Sequence, residues 1–312
     1  MHFQLRSFVR LFCFAMLLVG SASEVRGQND FLVSASQRDT IERFDASTGE
    51  SLGSFVTPGS GGLDNPGAVA VGPDGHVYVT SALTGQILRY DGQSGDFLDV
   101  FASGNGLVAT NNLRFFGEHL YVGQFAGGTN GLIKRFDAET GSFIDNFIAS
   151  EWVDGFEFGP DSIYVSNYFG GVGRYDLETG AFVEPFATPG EGGLGNPTAI
   201  LRLDNGDLLI GSDRTDSIKR FSASGDYIGE AIESLVNPEG LVFGPGGNLY
   251  AGSYSEGFIN EYDGEDFSFI SRFADTGGAT NFFTFRPTAI PEPTTAMPLL
   301  LCMTAAVLRR RR

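Results

Sequence analysis

Residues 65–91 read NPGAVAVGPDGHVYVTSALTGQILRYD, and residues 92–102 continue GQSGDFLDVFA. Four short runs alternate with turn chemistry. GAVAVG is apolar, GPDG is a turn, HVYVTSA is a second run and GQILRYD a third. GQSG then makes a hairpin turn into DFLDVFA. Within HVYVTSA, Val77, Val79 and Ser81 oppose Tyr78 and Thr80, the period of an extended strand. In the turn that follows Tyr90, an Asp bonds its own backbone and a Gly takes the left-handed position. The stretch predicts four antiparallel strands in a row.

The pattern recurs along the chain. IERFDASTGESLGSF (41–55), ILRYDGQSGDFLDVF (87–101), IKRFDAETGSFIDNF (133–147) and VGRYDLETGAFVEPF (172–186) are closely related. IKRFSASGDYIGEAI (218–232) and INEYDGEDFSFISRF (259–273) are weaker copies. The aromatic before each turn is Phe44, Tyr90, Phe136, Tyr175, Phe221 or Tyr262, at spacings of 39 to 46 residues. Four-stranded units at that period predict a β-propeller. Asp45, Asp91, Asp137 and Asp176 are then turn residues. The first copy lacks an innermost strand, and NFFTFR (281–286) is an unpaired one at the far end of the body. Inserting it into the first copy closes a six-bladed, all-β ring and removes an open edge.

Composition agrees. The 312 residues include 44 Gly and 29 Phe, which favours strands and turns over helices. Residues 28–289 hold 13 basic against 36 acidic side chains. Such a body repels nucleic acid and anionic membrane surfaces, and favours cations or neutral ligands. Cys13 and Cys302 both lie in terminal apolar runs, so no disulfide, thiolate metal site or cysteine nucleophile is available to the body.

The two ends read as addresses. Residues 1–27 carry Arg6 and Arg10, the apolar run Leu11–Val19 and small residues from Gly20, the three parts of a signal peptide. Residues 288–312 contain Pro291, Glu292 and Pro293, then a mostly apolar run to Leu308, then Arg309, Arg310, Arg311 and Arg312. The run is short for a membrane span, and the arginines would stay on the cytoplasmic side. This tail resembles the PEP-CTERM sorting signal. The resemblance implies export in a Gram-negative bacterium, processing by an exosortase-type enzyme, and delivery to the cell surface or matrix. Membrane contact would be made only through this segment.

The body, residues 28–287, resembles NHL-repeat propellers and their regucalcin and gluconolactonase relatives. NPGAVAVGPDGHVYVTSALTGQILRYD and NPEGLVFGPGGNLYAGSYSEGFINEYD (237–263) carry the resemblance. Counting five residues back from the turn after each innermost strand gives Gly67, Asn112, Asp154, Thr198 and Glu239, with Asn281 in the closing strand. Oxygen-rich side chains converging from different blades suit calcium or another hard divalent cation. Gluconolactonase-like propellers hold a metal with such residues, so Asn112, Asp154 and Glu239 become a candidate metal set and a lactonase or related hydrolase an alternative function. A polar, water-lined channel would use the same residues. No substrate-binding arginine or lid matches that family, and no catalytic set is assigned.

His76 and His119 fall before second strands, off the channel row, which argues against a histidine base or triad. Trp152, Tyr168, Phe169, Tyr254 and Phe258 are candidates for an aromatic channel mouth, suited to sugar or peptide. The leading expectation is an exported binding or scaffold protein whose partners are extracellular polysaccharide or matrix proteins.

Overall fold

The computed structural model describes residues 30–125, 132–150, 152–280 and 282–286. The signal-peptide region 1–27, the tail 288–312 and Asn281 lie outside the described residues. Among those described, no helix is long and apolar enough to cross a membrane.

The strands form six antiparallel sheets of four. Blade 2 shows the pattern, with strands Pro66–Val71, Val77–Ser81, Gln86–Tyr90 and Phe97–Ser103 running from the inside out. The innermost strands of blades 3 to 6 are Thr110–Phe116, Val153–Phe158, Pro197–Arg202 and Pro238–Phe243. Blade 1 takes its innermost strand, Phe283–Arg286, from the end of the body, in sheet order with Asp30–Ala35, Thr40–Asp45 and Ser51–Val56. This is the closure the missing first strand implies.

Both faces of a middle strand are buried, because each blade is packed between two others. Val77 and Val79 join Leu32, Ile41 and Val56 of blade 1. Tyr78, pointing the other way, joins Leu113, Leu120 and Val122 of blade 3. Four further clusters fill the gaps 3/4, 4/5, 5/6 and 6/1. The sequence therefore shows little polar–apolar alternation in its middle strands. Stability comes from six inter-blade layers rather than from a single core.

The turn aspartates behave as expected. Asp45, Asp91, Asp137 and Asp176 each accept hydrogen bonds from the backbone N–H groups two and three residues on. Bonds from Ser47, Ser94, Thr140 and Thr179 hold these carboxyls below the usual carboxylate range. The turn glycine has a second role. Gly141 sits at φ +71°, and a Cβ there would strike the carbonyl oxygen of Phe101 in the preceding blade. Gly95 stands against Phe55 in the same way. Substituting Gly141→Ala therefore meets both a left-handed penalty and a backbone wall, and should cost at least about 2 kcal/mol in a urea melt. A change below about 0.5 kcal/mol would mean the hairpin tip does not fix the spacing between blades. In blade 6 the same place is held by Phe267, which adopts φ +61° and buries its ring instead.

Candidate functional site

Five innermost strands begin in one way. A left-handed residue comes first: Asn65, Ala109, Trp152, Asn196 or Asn237. Its carbonyl accepts a hydrogen bond from the residue just past the second strand, respectively Ala82, Phe125, Tyr168, Asp213 and Tyr254. A β-bulge follows, with one residue more on the innermost strand than on its partner. Two residues after the left-handed position stand Gly67, Asn111, Asp154, Thr198 and Glu239.

The bulge frees backbone groups, and short hydroxyl side chains satisfy them. Ser166 Oγ accepts from Gly155 N at 2.6 Å and donates to Thr198 O in the next blade at 2.7 Å. Ser34 Oγ donates to Gly67 O at 2.6 Å, and Thr198 Oγ1 donates to Pro238 O. These bonds tie blade 1 to blade 2, blade 4 to blade 5 and blade 5 to blade 6.

Asn111, Asp154 and Glu239 line a cavity of 540 Å³ at the start of the strands, with Phe125, Tyr168 and Tyr254 above them. Asp154 is 5% exposed. Asn111 Nδ2 donates to Asp154 Oδ1 at 3.1 Å. Burial pushes the Asp154 carboxyl up to about 7, the negative charge of Asp213 adds to this, and the Asn111 bond partly opposes it. Glu239 is half-buried and lines the cavity. Desolvation, with repulsion from Asp154 and Asp213, raises its pKa well above the usual range. Tyr168 Oη and Asn237 Nδ2 both donate to Asp213.

The sequence row is thus brought together at Asp154 and Glu239, but Asn112 is not beside them. Asn112 is 3% exposed and lines a second cavity of 580 Å³ farther along the same strands, where Arg114 and Glu157 pair at 3.1 Å. Asn111 takes the place expected for it. Blade 3 turns in two residues, Phe116 pairing with His119, whereas blade 2 uses five between Val71 and Val77. Counting back from the turn therefore slips by one in blade 3. Thr198 is fully buried under its bond to Pro238, and Gly67 offers no side chain.

Fit to a divalent cation is incomplete. Among the described residues no three Asp, Glu, His or Cys side chains converge closely enough to hold a metal. Asn111 turns its amide nitrogen, not its oxygen, toward Asp154.

Of the five aromatic candidates, Tyr168, Phe169 and Tyr254 line the cavity, and Trp152 packs behind them. Trp152 packs edge-on against Phe125 and Phe169, at 5.3 and 5.0 Å between centroids. Phe169 is 64% exposed and Tyr254 37%. Phe258 belongs elsewhere: it is buried in the blade 5/6 layer with the Arg272 guanidinium 3.9 Å over its ring. His76, in the turn before the second strand of blade 2, accepts from Gly92 N at 3.2 Å, and His119, which opens the second strand of blade 3, lies beside Tyr121; neither lines the mouth. Both are half-buried. Phe125 and Asp213 were not singled out from the sequence. Their signal is the column after each second strand, in VTSA, VGQF, VSNY, IGSD and AGSY.

No protein-family model matches the chain, and no curated protein matches it. Solved structures do. A chain of a nidogen/laminin complex superposes with a TM-score of 0.65 at 13% identity, covering 84% of this chain and all of that one. The computationally designed Ika8 protein gives 0.51 at 15% identity, over 80% of this chain and 73% of its own. Similarity at these identities shows the fold alone.

Proposed function

We propose that this chain is an exported, surface- or matrix-held binding module, sorted by its C-terminal tail and presenting a ligand site at the mouth of a six-bladed propeller. One observation supports the binding role above others: one open cavity is lined both by the carboxylates of Asp154 and Glu239 and by the exposed rings of Phe169 and Tyr254. Ligand sites commonly take this form, apolar walls with a few converging polar groups. The fold is shared by proteins of many functions, so the site carries the reading.

Export and sorting rest on the sequence. The leader, the Pro291-Glu292-Pro293 triplet and the arginine cluster remain a resemblance to the PEP-CTERM pattern, and kinship with NHL-repeat and regucalcin-like propellers likewise remains a resemblance. Extracellular polysaccharide or a matrix protein is the proposed partner class. The hydrolase alternative has less support, since among the described residues no arginine lines the mouth and no three acids converge closely enough to hold a metal.

The test is sorting. In a Gram-negative host carrying an exosortase-type enzyme, the native chain should appear in the surface or matrix fraction. A variant with Pro291, Glu292 and Pro293 all replaced by alanine should remain in the membrane fraction at precursor size. Equal distribution of the two would overturn the sorting role.

A further inference from the structure

The mouth contains acceptors without donors. Asn111 Oδ1 is buried and has no hydrogen-bond partner among the described residues. Thr110, fully buried on the cavity wall, has an unpartnered hydroxyl. Glu239 has no hydrogen-bond partner among the described residues. Among the described residues no lysine or arginine lines the cavity, and none is among the groups acting on Asp154 or Glu239. Buried charge in a folded protein is ordinarily paired, and unpaired buried polar atoms call for an explanation.

The walls narrow the choice. Phe125, Tyr168 and Tyr254 present aromatic surface beside these carboxylates, and Tyr168 stands edge-on to Phe125 with centroids 5.6 Å apart. A neutral sugar would stack on the rings yet leave the carboxylates uncompensated. A hard divalent cation wants six or more oxygens and gains nothing from aromatic walls. A cationic nitrogen group is donor-rich, has no acceptors and is attracted to ring faces.

We infer that the mouth seats an organic cation: an alkylammonium or guanidinium head against Asp154, Glu239 and Asn111 Oδ1, with its apolar stem against Phe125, Tyr168 and Tyr254. The inference rests on the proposed role of the mouth as a binding site and adds the chemistry of what it binds. Two sources share this chemistry, a free small cation and a lysine or arginine side chain of a partner protein.

The experiment is calorimetric titration of the purified full chain at pH 8 with butylguanidinium, and with butylurea as its neutral isostere. Butylguanidinium should bind at least tenfold more tightly than butylurea. Glu239→Gln should weaken it at least tenfold, and so should Asp154→Asn, with both variants melting no lower than the native chain. An acetyl-Gly-Arg-Gly-amide peptide then assigns the source: tenfold tighter binding than butylguanidinium points to a protein side chain, equal binding to a free cation. Equal affinity for butylurea, no detectable binding of either compound, or a calcium complex that butylguanidinium cannot displace would overturn the inference. If the cation fails to bind while the native chain still reaches the surface or matrix fraction, only the ligand class is lost. If the cation binds and sorting fails, only the surface reading is lost.

Discussion

Replacing Asp30 by alanine should cost about 3–5 kcal/mol of stability, the loss expected when one partner of a buried ion pair is removed. Asp30 opens the first described strand and pairs in register with Arg286 of the closing strand. They are 5% and 6% exposed. Arg286 donates to Asp30 Oδ2 and to Gly92 O in blade 2, and its guanidinium lies 5.0 Å over the Phe55 ring. One side chain thus joins the closing strand to blades 1 and 2. Next to it, Phe31 is ringed by Phe273, Phe283, Phe285 and Tyr250 with centroids 4.7–5.9 Å away. Asp30→Ala leaves a buried guanidinium without its counter-charge at the junction where the closing strand meets the first. A urea melt should show the loss, and the variant should aggregate through its opened edges. A cost below about 1 kcal/mol would mean that closure depends on the aromatic layer alone. In contrast, a chain ending at Thr288 retains every strand described here and should melt as the full chain does.

Replacing Asp154 by asparagine should stabilise the protein at alkaline pH. The folded-state pKa lies above that of an unfolded aspartate, about 3.9. The folded chain therefore holds the proton longer. The stability from this group is fully present below about pH 4 and is lost as pH rises through about 7. Glu239 acts in the same direction. Among the described residues the groups acting on Asp154 are Asn111, Tyr168, Asp213 and Glu239, and none supplies positive charge. Asp154→Asn should be near neutral at pH 4.5 and raise stability by more than about 1 kcal/mol at pH 8. Destabilisation at both pH values would show that the carboxylate is structural. Stabilisation on neutralising a polar site is the usual mark of residues retained for binding rather than for folding.

The propeller was legible because its signals are local and repeated: an aromatic, an Asp turn and a Gly at one spacing. Closure was legible because the first copy has one strand too few and the last stretch one too many. The site was only half legible. Asp154 and Glu239 follow from counting back to the strand start, but blade 3 has a two-residue turn that displaces the count from Asn111 to Asn112. The left-handed residue two positions earlier is a better ruler. It is written as Asn-Pro in blades 2, 5 and 6, but Ala109 and Trp152 replace it in blades 3 and 4 and give no composition signal. Phe258 misled because an aromatic at a rim and one in a layer between blades look the same in sequence. Asp213 was missed because a carboxylate after a strand ordinarily belongs to a turn. Only the fold shows it meeting Tyr168 and Asn237.

The central claim is that the mouth holds carboxylates out of water with no cation among the described residues to pair with them. Carbon-13 NMR titration of the Asp154 side-chain carboxyl in the unliganded protein tests it most directly. The expected midpoint is near 7, falling when butylguanidinium is added. A midpoint near 4 in the free protein, unmoved by the cation, would contradict it.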